Sequence, residues 1–213
     1  MPLLLDQFTG NGCRLLVWHV TETEKELEKF SGSRNFDTIS HISSIKLTER
    51  RKQKLITGIL AEIIAGKHCK ILYTDAGKPF IDQFPGNISV SHGGNYVGLI
   101  YHEKLAPGID IEVPSERIRR IAPKFINNEE ELWLEASPSI HHLHLIWGVK
   151  ESLFKSYGGG GIIFKAHLLV HQPEGDAKSG AGEAIYLKKE SPEKHSYHYF
   201  HLEDALVVYT IAL

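Results

Sequence analysis

The chain has 213 residues with 24 basic and 26 acidic side chains, a formal charge of −2, and 42% hydrophobic and 23% charged residues. That composition belongs to a globular protein with room for one large or two small domains, and it excludes both a disordered chain and the basic footprint of a nucleic-acid binder. Its two cysteines, Cys13 and Cys69, lack CxxC spacing, which argues against a disulfide framework or a cysteine-rich zinc site and fits a reducing compartment.

The first ten residues, MPLLLDQFTG, carry Asp6 and no basic leader, and no apolar run approaches the ~18 residues of a membrane helix. A soluble cytoplasmic protein without a membrane partner is expected. Arg14 to Val20 is rich in β-branched and aromatic residues and predicts a strand, and the charged stretch Glu22 to Phe30 predicts a short surface helix. Thr48 is a candidate cap for a stronger helix in which Leu55, Ile56, Ile59, Leu60, Ile63 and Ile64 recur at helical spacing up to Gly66. Its first turns hold Arg50, Arg51, Lys52 and Lys54, either a solvated face or a phosphate-binding edge.

From Lys70 the texture becomes short strands and turns: KILYT, DAGKPFI, ISVSH, then YVGLIYH after Gly93-Gly94-Asn95. After Leu105-Ala106-Pro107 a new strand, GIDIE, begins, so the chain divides into residues 1–106 and 107–213. Helices are expected over Ser115 to Phe125, Asn128 to Leu134 and Ser139 to Tyr157, the last ending in four glycines. Strands follow near Ile162 to Phe164, Leu168 to His171, Ala184 to Lys188, Tyr197 to Leu202 and Ala205 to Ala212, and Gly180-Ala-Gly182 reads as an exposed loop. SVSHGGNYVGLIYH and HYFHLEDALVVYTIAL both read as strand, tight turn and apolar strand. This suggests an α+β chain of two similar halves with its site in the cleft between them.

Asp110 and Glu112 stand two apart, so on a strand both carboxylates leave one face while Ile109 and Ile111 enter the core. Adjacent carboxylates repel unless a cation separates them, and hard oxygen ligands suit Mg²⁺; the plain alternative is a half-exposed strand. Trp147, Glu151 and Lys155 are spaced by four along one helix face. Glu151 and Lys155 can form an ordinary i,i+4 pair, yet Trp147, Leu153 and Phe154 imply a buried helix whose ions need partners. The glycines from Gly158 to Gly161 follow a helix, whereas a phosphate-cradling loop precedes one, so a glycine cap is the better reading. Ser91-His92 ends a strand at a turn, where His92 can meet a phosphate or serve the fold, and Lys78 lies in a turn before Pro79. His141, His142 and His144 crowd one helix start without the spacing of a zinc hydrolase, and no Gly-x-Ser-x-Gly elbow occurs.

In order along the chain, GKPF at 77–80, ISVSHGG at 88–94, GIDIE at 108–112 and WGVKESLFKSYGGG at 147–160 resemble the 4'-phosphopantetheinyl transferase superfamily, of the surfactin-synthetase-activating (Sfp) type. The resemblance implies two α/β subdomains in a pseudo-twofold arrangement, with coenzyme A and Mg²⁺ in the cleft. Asp110, Glu112 and Glu151 would be the metal ligands, and Glu151 would also deprotonate the attacking hydroxyl. Lys155 would sit against the pyrophosphate, while Lys78, Pro79, Ser91 and His92 would line the coenzyme's phosphates. Lys150 belongs to the same motif, and the basic contact from the first long helix falls on Arg50, Arg51 or Lys54. The family commonly has a second hydroxyl residue after the Ser-His pair and a lysine in the glycine-rich segment; Gly93 and the run from Gly158 to Gly161 replace them here.

The implied activity is Mg²⁺-dependent transfer of the 4'-phosphopantetheine arm of coenzyme A to a serine of an apo acyl or peptidyl carrier protein, releasing adenosine 3',5'-bisphosphate. This is the holo-acyl-carrier-protein synthase reaction, by which a monomer that is itself a pseudo-dimer would activate fatty-acid, polyketide or peptide carriers. Two other readings stand beside it: a coenzyme A-binding protein of the same fold without transfer, and a divalent-metal hydrolase of pyrophosphates.

Overall fold

The computed structural model of the chain describes residues 2–31, 46–134, 138–158, 160–187 and 191–213. Strands β1 (Leu3–Phe8), β2 (Arg14–His19), β5 (Asn87–Gly93) and β6 (Tyr96–His102) form an antiparallel sheet in the order β1-β2-β6-β5, and β3 (Ile71–Tyr73) pairs with β4 (Pro79–Ile81) in a separate ribbon. Strands β7 (Gly108–Glu112), β8 (Leu168–Val170), β10 (Ser179–Tyr186), β11 (Glu193–Leu202) and β12 (Ala205–Ala212) form a second sheet in the order β7-β12-β11-β10-β8, with β9 (Glu174–Gly175) paired to β10. Among the described residues the helices are α1 (Glu24–Ser31), α2 (Thr48–Ala65), α3 (Ile118–Phe125), α4 (Asn128–Trp133), α5 (Ile140–Tyr157) and α6 (Phe164–His167). The fold is mixed α and β, and no described helix is long and apolar enough to cross a membrane.

Alternation along the strands sorts the core into layers. On β2, Leu16 and Trp18 pack with Leu27, Leu55 and Leu60 of α1 and α2, whereas Leu15 and Val17 face the second sheet. There they meet Ile109 and Ile111 of β7 and Val207 and Tyr209 of β12. The alternate residues Leu206 and Val208 turn to α5, against Leu145, Val149 and Leu153. The order is therefore helix, sheet, sheet, helix, with one apolar layer joining the two sheets.

Side chains rather than a ladder join β5 to β7. Ser89 Oγ accepts the Ile109 N–H at 3.2 Å and Ser91 Oγ accepts that of Ile111 at 3.1 Å, so these buried donors are satisfied across the seam. The approach is close enough that a Cβ on Gly93 would stand 2.1 Å from the Ile111 carbonyl oxygen. The two hairpins anticipated from sequence each close with two residues, the first at positive φ: Gly94 at +54° and Glu203 at +55°. They also meet, because the Tyr96 hydroxyl reaches Asp204 at 2.5 Å and Glu203 at 3.0 Å.

Several local expectations change. Residues 3–8, read only as an N-terminus, form edge strand β1 against β2. Thr48 does not cap α2; the cap position is Leu47 and no side chain caps it, while Arg51 donates to the Thr48 hydroxyl. Gly180 and Gly182 lie in β10 rather than in a loop, because the Tyr199 and Tyr197 rings of β11 occupy the space their side chains would fill. A glycine-rich polar run is thus a strand whose face is supplied by its neighbour. The stretch expected as a strand at Ile162 to Phe164 leads instead into the turn of α6. Lys188 and Gly159 lie outside the described residues.

Candidate active site

Helix α5 sets the site. It is buried along most of its length, begins at Ser139, whose hydroxyl accepts the His142 N–H at 3.1 Å, and ends at Gly158 in the left-handed region at φ +78°. Two glycines let it lie flush on the sheet. A Cβ on Gly148 would stand 2.9 Å from Val208 Cγ2, and one on Gly108 would stand 1.9 Å from the Ser152 carbonyl oxygen. This close seating brings Glu151 and Lys155 to the side of β7 that carries Asp110 and Glu112.

Asp110 is 4% exposed. Its Oδ1 accepts from Lys155 Nζ at 2.7 Å and from the Ser91 hydroxyl at 3.0 Å; its Oδ2 is buried and has no hydrogen-bond partner. Burial raises its pKa above the usual carboxylate range despite Lys155. Glu112 Oε1 accepts from Trp147 Nε1 at 3.0 Å. Glu151 is pushed up to about 7, first by burial and then by the charges of Asp110 and Glu112, with Lys155 acting the other way. Three carboxylates repel one another here with a single lysine among them. An all-oxygen donor set with an orphaned, buried carboxylate oxygen fits a hard divalent cation such as Mg²⁺. As the side chains stand, no group of three or more His, Cys, Asp or Glu among the described residues is placed to hold a metal ion, so the three carboxylates would have to converge on one.

Beside the carboxylates a cavity of about 540 Å³ opens between the halves. Of the residues singled out in the sequence, Arg50, Lys54, Lys78, Pro79, His92 and Lys155 line it together. Lys78 Nζ donates to the Ser156 carbonyl at 2.8 Å at the end of α5, which ties the β3–β4 turn to the second half, and burial lowers its pKa. Lys54 donates to the Tyr73 hydroxyl, its nitrogen 4.3 Å from the centre of that ring. His92 stands exposed at the rim; partial desolvation and then the Lys155 charge lower its pKa below the ordinary histidine value. Arg51 turns away from the cavity and pairs with Glu24 at 2.6 Å.

Two motif residues occupy different places from those expected. Ser91 lies buried behind the cavity, its hydroxyl engaged by Asp110, Lys155 at 2.9 Å and the Ile111 N–H. Lys150 does not approach the cavity. Fully buried, it bonds Glu130 at 2.8 Å and the carbonyls of Phe125 and Phe164 at 2.6 and 3.4 Å, so its charge braces α3, α4 and α6. Sequence reasoning missed Glu130, which completes a capping box with Asn127 and also receives the Val170 N–H. His144, weighed in the sequence only with His141 and His142, shares one helix face with 147, 151 and 155 at i,i+3 and i,i+4 spacings, the signal that ties it to the carboxylates instead.

The sequence model of the 4'-phosphopantetheinyl transferase superfamily matches residues 106–210, the span from β7 through nearly all of β12 that holds the three carboxylates, Lys155 and their supports. A Haemophilus influenzae protein provisionally named a 4'-phosphopantetheinyl transferase is 34% identical over 125 residues, 52% of this chain and 51% of its own length. The 4'-phosphopantetheinyl transferase gsp of Aneurinibacillus migulanus is 31% identical over 111 residues, 50% of this chain and 46% of its own. The matched stretch thus spans about half the length of each of these relatives. Residues 106–210, just under half of the chain and the part that carries the carboxylate cluster, are similar to the 4'-phosphopantetheinyl transferase superfamily.

Proposed function

We propose that the protein transfers the 4'-phosphopantetheine arm of coenzyme A to a serine hydroxyl of an apo acyl or peptidyl carrier protein, releasing adenosine 3',5'-bisphosphate. The observation that carries this reading is the juxtaposition of Asp110, Glu112 and Glu151 with a cavity walled by Arg50, Lys54, Lys78, His92 and Lys155. The walls offer cations to a polyanionic coenzyme, and the carboxylates offer ligands and a base.

Mg²⁺ held by Asp110, Glu112 and Glu151 would neutralise charge on the pyrophosphate oxygens during transfer. The protein's own groups do the remainder. Glu151, with a pKa of about 7, is suited to accept the proton of the incoming serine. That oxygen then bonds to the phosphorus bearing the pantetheine arm, and the bond from that phosphorus to the bridging oxygen breaks, the electron pair leaving with adenosine 3',5'-bisphosphate. Lys78, His92 and Lys155 would orient the phosphates, and such reactions depend chiefly on positioning and charge. With a net charge of −2, an acidic carrier needs a local basic surface, and Arg119, Arg120 and Lys124 stand exposed on α3.

The test is incubation with coenzyme A, Mg²⁺ and a panel of apo carriers, followed by mass spectrometry of each carrier. A carrier heavier by one phosphopantetheine is the expected result. Coenzyme A bound but unaltered would leave a binding protein, and coenzyme A cleaved without a modified carrier would leave a hydrolase; either outcome overturns the transferase reading.

A further inference from the structure

Outside the carboxylate cluster, one buried polar group is aimed at it. His144 is 3% exposed, and its Nδ1 is buried without a hydrogen-bond partner. Its other nitrogen, Nε2, receives the Ser115 backbone N–H at 2.9 Å and lies 3.2 Å from the Ser115 carbonyl. Ser115 offers Nε2 both a donor and an acceptor; with the shorter contact, from the amide, taken as the hydrogen bond, Nε2 carries no hydrogen and the ring's hydrogen is assigned to Nδ1. Nδ1 stands 3.6 Å from Glu112 Oε2, just beyond hydrogen-bond length, while Trp147 Nε1 holds Glu112 Oε1 at 3.0 Å. One turn of α5 therefore presents two N–H groups to the two oxygens of one carboxylate.

We propose that His144 is a positioning residue for Glu112: its Nδ1–H, together with Trp147, fixes the rotamer and the presented lone pairs of that carboxylate. The inference rests on the reading of Glu112 as a metal ligand. Groups that orient a ligating carboxylate tune metal affinity without touching the metal. A leucine of similar size would fill the space but leave the Ser115 N–H without its acceptor and put no polar group opposite Glu112 Oε2.

Asparagine and glutamine divide the two halves of the imidazole between them. An asparagine amide places a donor where Nδ1 stands, and a glutamine amide reaches the position of Nε2. Mn²⁺ is titrated into the protein with saturating coenzyme A and the free ion is read by electron paramagnetic resonance, with thermal melts recorded for every variant. His144→Gln should weaken Mn²⁺ binding about tenfold. His144→Asn should stay within threefold of the parent, and Trp147→Phe should weaken binding as His144→Gln does. In the Glu112→Gln background His144→Gln should add nothing further. Equal affinities for the Gln and Asn variants, or a His144→Gln effect that survives in that background, would reduce His144 to a packing residue. Absence of Mn²⁺ binding by the parent protein would instead overturn the metal-ligand reading on which the inference stands.

Discussion

Lys155 Nζ and Asp110 Oδ1 are 2.7 Å apart, and the ammonium's other partners are the Ser91 hydroxyl at 2.9 Å and the Ile109 carbonyl at 3.1 Å. One α5 side chain thus holds a β7 carboxylate, a β5 hydroxyl and a β7 carbonyl where the two sheets meet. Asp110 keeps a second, unpartnered oxygen, so its ion pair with Lys155 leaves a lone pair for another cation.

Lys155→Met should destabilise the protein in EDTA, because it leaves Asp110 buried and unpaired, a change worth about 3–5 kcal/mol for buried pairs generally and less here where Lys155 is partly exposed. The loss should grow with pH. Asp110's folded pKa is raised, so the folded state binds more protons than the unfolded one and stability is lost as pH rises through that pKa. Melts at pH 5 and pH 8, with and without Mg²⁺, are the measurement. A Tm equal to the parent's under all four conditions would show that Asp110 does not need the lysine.

Glu151→Gln keeps shape and one oxygen ligand but removes the basic carboxylate, so turnover on a carrier should fall by at least the ~10² of a lost general base. Coenzyme A binding should change much less. In EDTA at pH 8 the same variant should be more stable than the parent, since a carboxyl with a pKa of about 7 is ionised there at a cost the amide avoids. Turnover within threefold of the parent would remove Glu151 from the role of base.

Lys150→Met should unfold at markedly lower denaturant, by about 3–5 kcal/mol, because Glu130 would remain buried without its cation. Adding Glu130→Gln should restore most of the loss. Both folded variants should bind coenzyme A as the parent does, read by calorimetry. A weakened Kd in the double variant at parental stability would return Lys150 to the coenzyme site.

Histidine 141 packs between His142, Tyr199 and His201, and burial, then the positive charges of its histidine neighbours, lower its pKa to about 4. The unfolded chain titrates near 6.5, so this group's contribution is present above 6.5 and is lost as pH falls toward 4. His141→Phe keeps the ring contacts and should flatten the acid limb of the stability profile by on the order of 1 kcal/mol at pH 5. Chemical unfolding at pH 7.5 and pH 5 reads the difference, and an identical acid slope in the variant would place the acid sensitivity elsewhere.

Much of this molecule follows from local pattern. The 3.6-residue periodicity and glycine caps located α2 and α5 to within a residue, and the alternation in GIDIE correctly sent Ile109 and Ile111 inward and Asp110 and Glu112 to the other face. Local geometry is short-range, so four or five residues suffice to encode it. Partner choice is not encoded that way. Nothing beside Lys150 in the motif distinguishes it from Lys155, yet one is buried against Glu130, 20 residues away, and the other faces Asp110, 45 residues away. Gly180 and Gly182 read as a loop because the tyrosines that need their space belong to another strand. Which charge meets which, and which glycine makes room for whom, were decided only when α5 settled on β7 and the two sheets closed on each other.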